Sequence, residues 1–135
     1  MLLEKLKDEK EFSLSLNKEE KLLHFTWKPI VFSQERFKEI VTDFAEAAGK
    51  HGVEHLFIDA RENKVTIAED TQVWHDKVIA PKYVAAKIKK IAFLIPSSIF
   101  SELTHVKTFS KDNAAASLET RFFKSETDIN IWFNS

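Results

Sequence analysis

Asp59 and Arg61 are the residues whose types and spacing first suggest chemistry. They close the stretch Val53–Arg61, Val-Glu-His-Leu-Phe-Ile-Asp-Ala-Arg, in which an apolar run stops on an acid and a base. Side chains two apart on a strand share a face. The pair is therefore placed to hold a polar head group, to form half of an acid–base pair, or to neutralise itself. Thr66 follows in Thr66-Ile67-Ala68-Glu69, the spacing of a capping box, in which hydroxyl and carboxylate close each other's backbone donors at a helix start.

Five histidines, His24, His51, His55, His75 and His105, raise metal or triad chemistry. His51 and His55 are four apart, but Gly52 and a change from helix to strand separate them, so they do not share a helical face as a zinc-binding pair must. With no cysteine, thiol nucleophiles, disulfides and zinc–thiolate sites are excluded. The two glycines make no phosphate loop, dinucleotide fingerprint or Gly-x-Ser-x-Gly elbow. An enzyme would have to combine Asp59 and Arg61 with Ser97 or Ser98 at the next strand's end, and no base–nucleophile spacing accompanies them. The expectation is a non-enzymatic protein with no metal and no cofactor.

The elements that must position these residues follow from hydrophobic periodicity. Phe12, Leu14 and Leu16, then Leu23, Phe25 and Trp27, alternate with polar residues around the turn Asn17-Lys18-Glu19-Glu20, which predicts an antiparallel hairpin. Ser33 is placed to cap a helix carrying Phe37, Ile40, Val41, Phe44, Ala45 and Ala48 on one face, with Gly49 and Gly52 just beyond its end. The apolar run at Leu56–Ile58 predicts a buried strand. A second helix opens at Thr66, carries Ile67, Val73, Trp74 and Val78, and is ended or kinked by Pro81 before the Tyr83–Ile88 segment.

Ile91–Ile95 predicts another buried strand, stopped by Pro96. Ser97 and Ser98 are placed to cap a third helix with Ile99, Leu103 and Val106, followed by a loop at 111–116. Leu118–Phe123 predicts an edge strand, and Ser125 caps a last helix with Ile129, Trp132 and Phe133 inward. The expected fold is α/β: one domain over residues 1–135, a three-layer sandwich with a mixed, mostly parallel five-stranded sheet in ββαβαβαβα order. Helical crossovers are expected to cover both sheet faces. In open α/β sheets ligands bind beyond the carboxyl ends of the strands, where Asp59 and Arg61 emerge.

A chain of 135 residues can bury one good core. Its net charge of −1 supplies no global field for nucleic acid or an anionic membrane, and Lys82, Lys87, Lys89 and Lys90 are expected to form a solvated rim. The start Met1-Leu2-Leu3-Glu4-Lys5-Leu6-Lys7 lacks the apolar core of a signal peptide, and no apolar run has the length of a membrane span. A cytoplasmic protein is expected.

The same order, with Ile58-Asp59-Ala60-Arg61, Thr66-Ile67-Ala68-Glu69-Asp70, Ile91-Ala92-Phe93, and Arg121-Phe122-Phe123-Lys124-Ser125 leading to Trp132-Phe133, resembles the STAS superfamily. More narrowly it is similar to a branch of small bacterial proteins grouped with anti-sigma factor antagonists, related in fold to CRAL-TRIO lipid-transfer domains. The resemblance implies a protein partner at the crevice of Asp59, Arg61 and the Thr66–Val78 helix. It also places Thr66 where those antagonists carry a phosphorylated Ser, although the Asp before it and the Gly after it are missing here. Through the CRAL-TRIO relationship it further implies that Trp74 and Tyr83 lie on a segment gating an apolar cavity. A small-molecule or lipid carrier is then the alternative to the protein-binding module. Self-association through the hairpin edge or the aromatic helix face is a further expectation.

Overall fold

Strand pairing begins earlier than the sequence pattern announces. The computed structural model describes residues 3–98 and 118–135. In it Glu4–Asp8 is a strand, β1, which adds a sixth member to the expected five. Four of its five residues are charged, and only Leu6 packs against the core. A strand with one inward side chain carries no period-two signal. Its charges and the irregular pairing between Lys5 and Lys7 suit an edge that must not pair further.

The expected hairpin is present as β2 (Phe12–Asn17) and β3 (Leu22–Trp27). Next come β4 (His55–Asp59), β5 (Lys90–Leu94) and β6 (Glu119–Phe123). The first three strands are antiparallel, β3 to β6 are parallel, and the spatial order is the sequence order. That order changes how the layers arise. Right-handed crossovers between strands added in one direction put successive helices on the same face. The crossovers after β3 and β4 therefore share one side, and among the described residues the C-terminal helix covers the second side.

On the crossover side, Phe12, Leu14, Leu16, Leu23, Phe25, Trp27, Leu56, Ile58 and Ile91 meet the helix α1 (Gln34–His51). Phe25 lies at the centre, stacked on Phe12 at 5.1 Å and tilted against Phe44 at 4.9 Å. Burying one such ring stabilises by about 2–3 kcal/mol. As expected, Ile40, Val41, Phe44, Ala45 and Ala48 form the buried face of α1, and the Ser33 hydroxyl accepts from the Arg36 amide at 3.0 Å. Gly49, expected past the helix, lies inside it, where an added Cβ would stand 3.8 Å from the Ala86 Cβ. Gly52 ends the helix at φ 63°, a conformation that glycine adopts without strain.

The second crossover is α2 (Glu69–Trp74), a π-helical turn (His75–Ile79) and α3 (Ala80–Ala85), without the expected break at Pro81. Proline lacks an N–H and crowds the carbonyl four residues back, here that of Lys77. The wider turn, in which the Ala80 amide reaches the His75 carbonyl, opens the spiral one residue before Pro81. The extra residue also rotates the apolar pattern. Ile79, at the end of the turn, and Tyr83 are buried and Val78, expected inward, is exposed; before the turn, Thr71 is buried and Val73, also expected inward, is exposed.

The opposite face carries Leu22, Phe57, Ala92 and Leu94 beneath α4 (Glu126–Phe133), which inserts Ile129 and Trp132. Ser125 caps α4 as expected, accepting from the Asp128 amide. The predicted helix through Ile99, Leu103 and Val106 and the loop at 111–116 lie outside the described residues, as does His105.

Candidate functional site

Asp59 ends β4 on the α4 side of the sheet, level with Thr26 of β3 and Leu94 of β5. The strand end is pinned there, because the Ala60 amide donates to the Leu94 carbonyl at 2.8 Å. Arg61 folds back over it. Its amide and Nε donate to Asp59 Oδ1 at 3.1 and 3.0 Å, and its Nη2 donates to Oδ2 at 2.8 Å. Burial pushes the Asp59 carboxyl up, but the Arg61 bonds and charge outweigh it and leave the group below the usual carboxylate range.

A general acid or base working near neutrality needs a carboxyl raised toward 7, whereas Asp59 is held ionised with both oxygens engaged. Of the three readings of the pair, local neutralisation is the one the geometry supplies. The outer part of the Arg61 side chain still faces solvent, with 53% of it exposed.

Thr66 is not a cap. The helix starts at Glu69 with Ala68 as N-cap and no side-chain cap bond, so the predicted capping box is absent. The connection before it is held by side-chain amides. Asn63 bonds both backbone groups of Val65, at 3.2 and 3.3 Å, and Gln34 of α1 donates to the Thr66 carbonyl at 2.9 Å while accepting from the Ala68 amide at 3.0 Å. Val65 is buried and Thr66 exposed. No sequence signal links Gln34 to this connection, because the two lie on different elements.

Tyr83 and Trp74 are both packed against neighbouring side chains. Tyr83 is buried edge-on to Phe44 and His75, and its burial pushes the phenol pKa up. Together with Ile79 it fills the volume between the helical run and α1. Trp74 is half-buried beneath Lys38, whose Nζ lies 5.4 Å from the ring centre. A shallow depression of about 320 Å³ nearby is lined by Ala45, Glu46, Gly49, Lys82, Ala85 and Ala86, and another of about 450 Å³ by Arg36, Lys38, Glu39, Thr42 and Asp43. Neither includes Asp59, Arg61 or Thr66.

His24 is the residue that sequence reasoning missed near Asp59. It projects from β3 onto the α4 side with its ring 4.4 Å from Phe57, and its Nε2 is buried without a hydrogen-bond partner. Burial holds it below the usual histidine range, against the pull of Glu126 and Asp59. The alternation that put Phe25 in the core also put His24 on the opposite face, but only strand pairing brings it beside β4. Among the described residues no three His, Asp or Glu side chains gather as a metal site.

The lysine rim is partly tied down, with Lys89 3.6 Å from Glu54 and Lys90 donating to the Trp132 carbonyl at 2.7 Å. Among the described residues no helix is long and apolar enough to cross a membrane. Comparison with family models, curated proteins and solved structures finds no match. What this chain does must therefore be argued from its own surface.

Proposed function

We propose that this protein is a non-enzymatic, STAS-like binding module of the cytoplasm that engages a protein partner through the surface running from Arg61 and Thr66 to Val78. One observation carries the reading. Val73 and Val78, 46% and 39% exposed, stand on the helical run that follows the strand end, where Asp59 is already neutralised by Arg61. Exposed apolar side chains suit a protein interface better than they suit a reacting substrate. Thr66, exposed and without a capping role, is the residue on this surface that a phosphate would alter, adding charge beside the α2 start.

The carrier reading is weaker, because Ile79 and Tyr83 occupy the volume that an apolar ligand would need. A photoreactive amino acid at position 73 or 78 tests the proposal in cells. The expected result is one discrete cross-linked partner from these positions and none from position 42 on α1. Equal, diffuse labelling from all three positions would remove its support. If Thr66 is the regulated residue, a cognate kinase modifies it, and Thr66→Ala abolishes the modification while leaving partner affinity intact.

A further inference from the structure

We propose that Gln34 is the positioning residue of this surface: its side-chain amide stands in for a neighbouring strand and holds the connection before α2 extended. The inference rests on the binding reading above only for its functional consequence. The conformational part stands on the hydrogen bonds alone.

Gln34 Nε2 donates to the Thr66 carbonyl and Gln34 Oε1 accepts from the Ala68 amide, so one planar amide brackets Ile67. A residue on an adjacent parallel strand makes the same bracket with its own N–H and C=O. The backbone is suited to it, since Ala68 has extended dihedrals of φ −65° and ψ 155°. Three amide side chains bond this connection: Asn63 to Val65, Gln72 to the Ile67 carbonyl at 3.0 Å, and Gln34. Asn63 and Gln72 belong to the connection or to the helix it feeds. Only Gln34 comes from another element, the first residue of α1, whose own position is fixed by the Ser33 cap and the buried α1 face.

Gln34 thereby transmits the position of α1 to the start of α2. The bracket fixes where the chain stops being extended, and so where Glu69 begins the helix that presents Val73 and Val78. A carboxylate in place of the amide would still accept from Ala68 but would set a negative oxygen against the Thr66 carbonyl.

Amide hydrogen exchange followed by NMR on the full chain tests this. In Gln34→Ala, exchange at Ala68 should accelerate by about tenfold or more, while the amides of Leu23 and Leu56 in the core strands and the thermal midpoint stay unchanged. Gln34→Glu should lie between wild type and Gln34→Ala at neutral pH and move toward wild type when the carboxyl is protonated, a rescue that simple loss of packing would not show. Unchanged protection of Ala68 in Gln34→Ala overturns the proposal, and so does parallel acceleration of the core amides. The functional consequence is read separately. Cross-linking from position 73 should fall in Gln34→Ala, and full cross-linking despite a released Ala68 overturns the positioning role while leaving the partner reading intact. If wild-type protein yields no cross-link, the partner reading fails, and exchange at Ala68 still decides whether Gln34 sets the conformation.

Discussion

Arg61 closes on Asp59 from two residues away, its Nε and Nη2 meeting the two carboxylate oxygens at 3.0 and 2.8 Å. The strand end thus carries its own counter-ion. Replacing Arg61 by Met leaves a buried carboxylate bonded only through the backbone amide. Because Arg61 is half exposed, solvent screens the pair, and the loss at pH 7 should be about 1 kcal/mol. The carboxyl is held below its ordinary 3.8, so the contribution is complete above that value and is lost as pH falls through the folded-state value. Urea unfolding at pH 7 and pH 3 should show the Arg61→Met difference shrinking at the lower pH.

Three histidines act in the opposite sense to a stabilised cation. Burial holds His24, His55 and His75 below the ordinary 6.5, with Lys90 adding to the effect at His55. The fold favours their neutral forms. Stability is therefore intact above 6.5 and falls as pH drops from 6.5 toward each folded-state value, because the unfolded chain takes the proton first. His24→Gln should flatten its share of this slope in denaturant unfolding between pH 7.5 and 5. An unchanged slope would show that His24 titrates as it does in the unfolded chain.

Lys87 ends α3 at φ 65°, where the Lys87 amide reaches the Val84 carbonyl and the Ile88 amide reaches that of Tyr83. This is a Schellman ending with lysine at the position that favours glycine. Lys87→Gly should raise stability by about 0.5–1 kcal/mol, since the left-handed conformation costs a side chain that much or more. The same reasoning applies to Lys21, at φ 53° in the hairpin turn, whose carbonyl accepts the amides of Glu54 and His55. Thermal denaturation of the two glycine variants measures both gains.

Among the described residues, few side chains cover the second sheet face. Ile129 is fully buried, and Trp132 packs at 5.4 Å on Phe123 and beneath Lys90. Trp132→Ala should cost about 3–5 kcal/mol and release α4 before the crossover side of the sheet. Hydrogen exchange should show the α4 amides losing protection ahead of those of α1.

The parts of this protein that repeat a local rule were legible in the chain. Alternation placed β2 and β3, the spacing from Phe37 to Ala48 defined the buried face of α1, and Ser33 and Ser125 announced their helices, because each signal lies within one turn or strand of what it specifies. Local rules failed where a partner far along the chain took the role. Thr66 reads as a cap, but Gln34 holds that connection from 32 residues away. Glu11 resembles any of 21 acidic residues until Arg36, 25 residues on, buries and bonds it at 3.0 Å. Pro81 reads as a stop, yet one inserted residue in the π turn carries the helix past it, and Ile79 rather than Val78 is buried. Long-range contacts settled these, and with them the candidate site. Which side of the sheet a crossover takes, and which neighbour satisfies a buried polar group, depend on contacts between elements rather than on the residues within one.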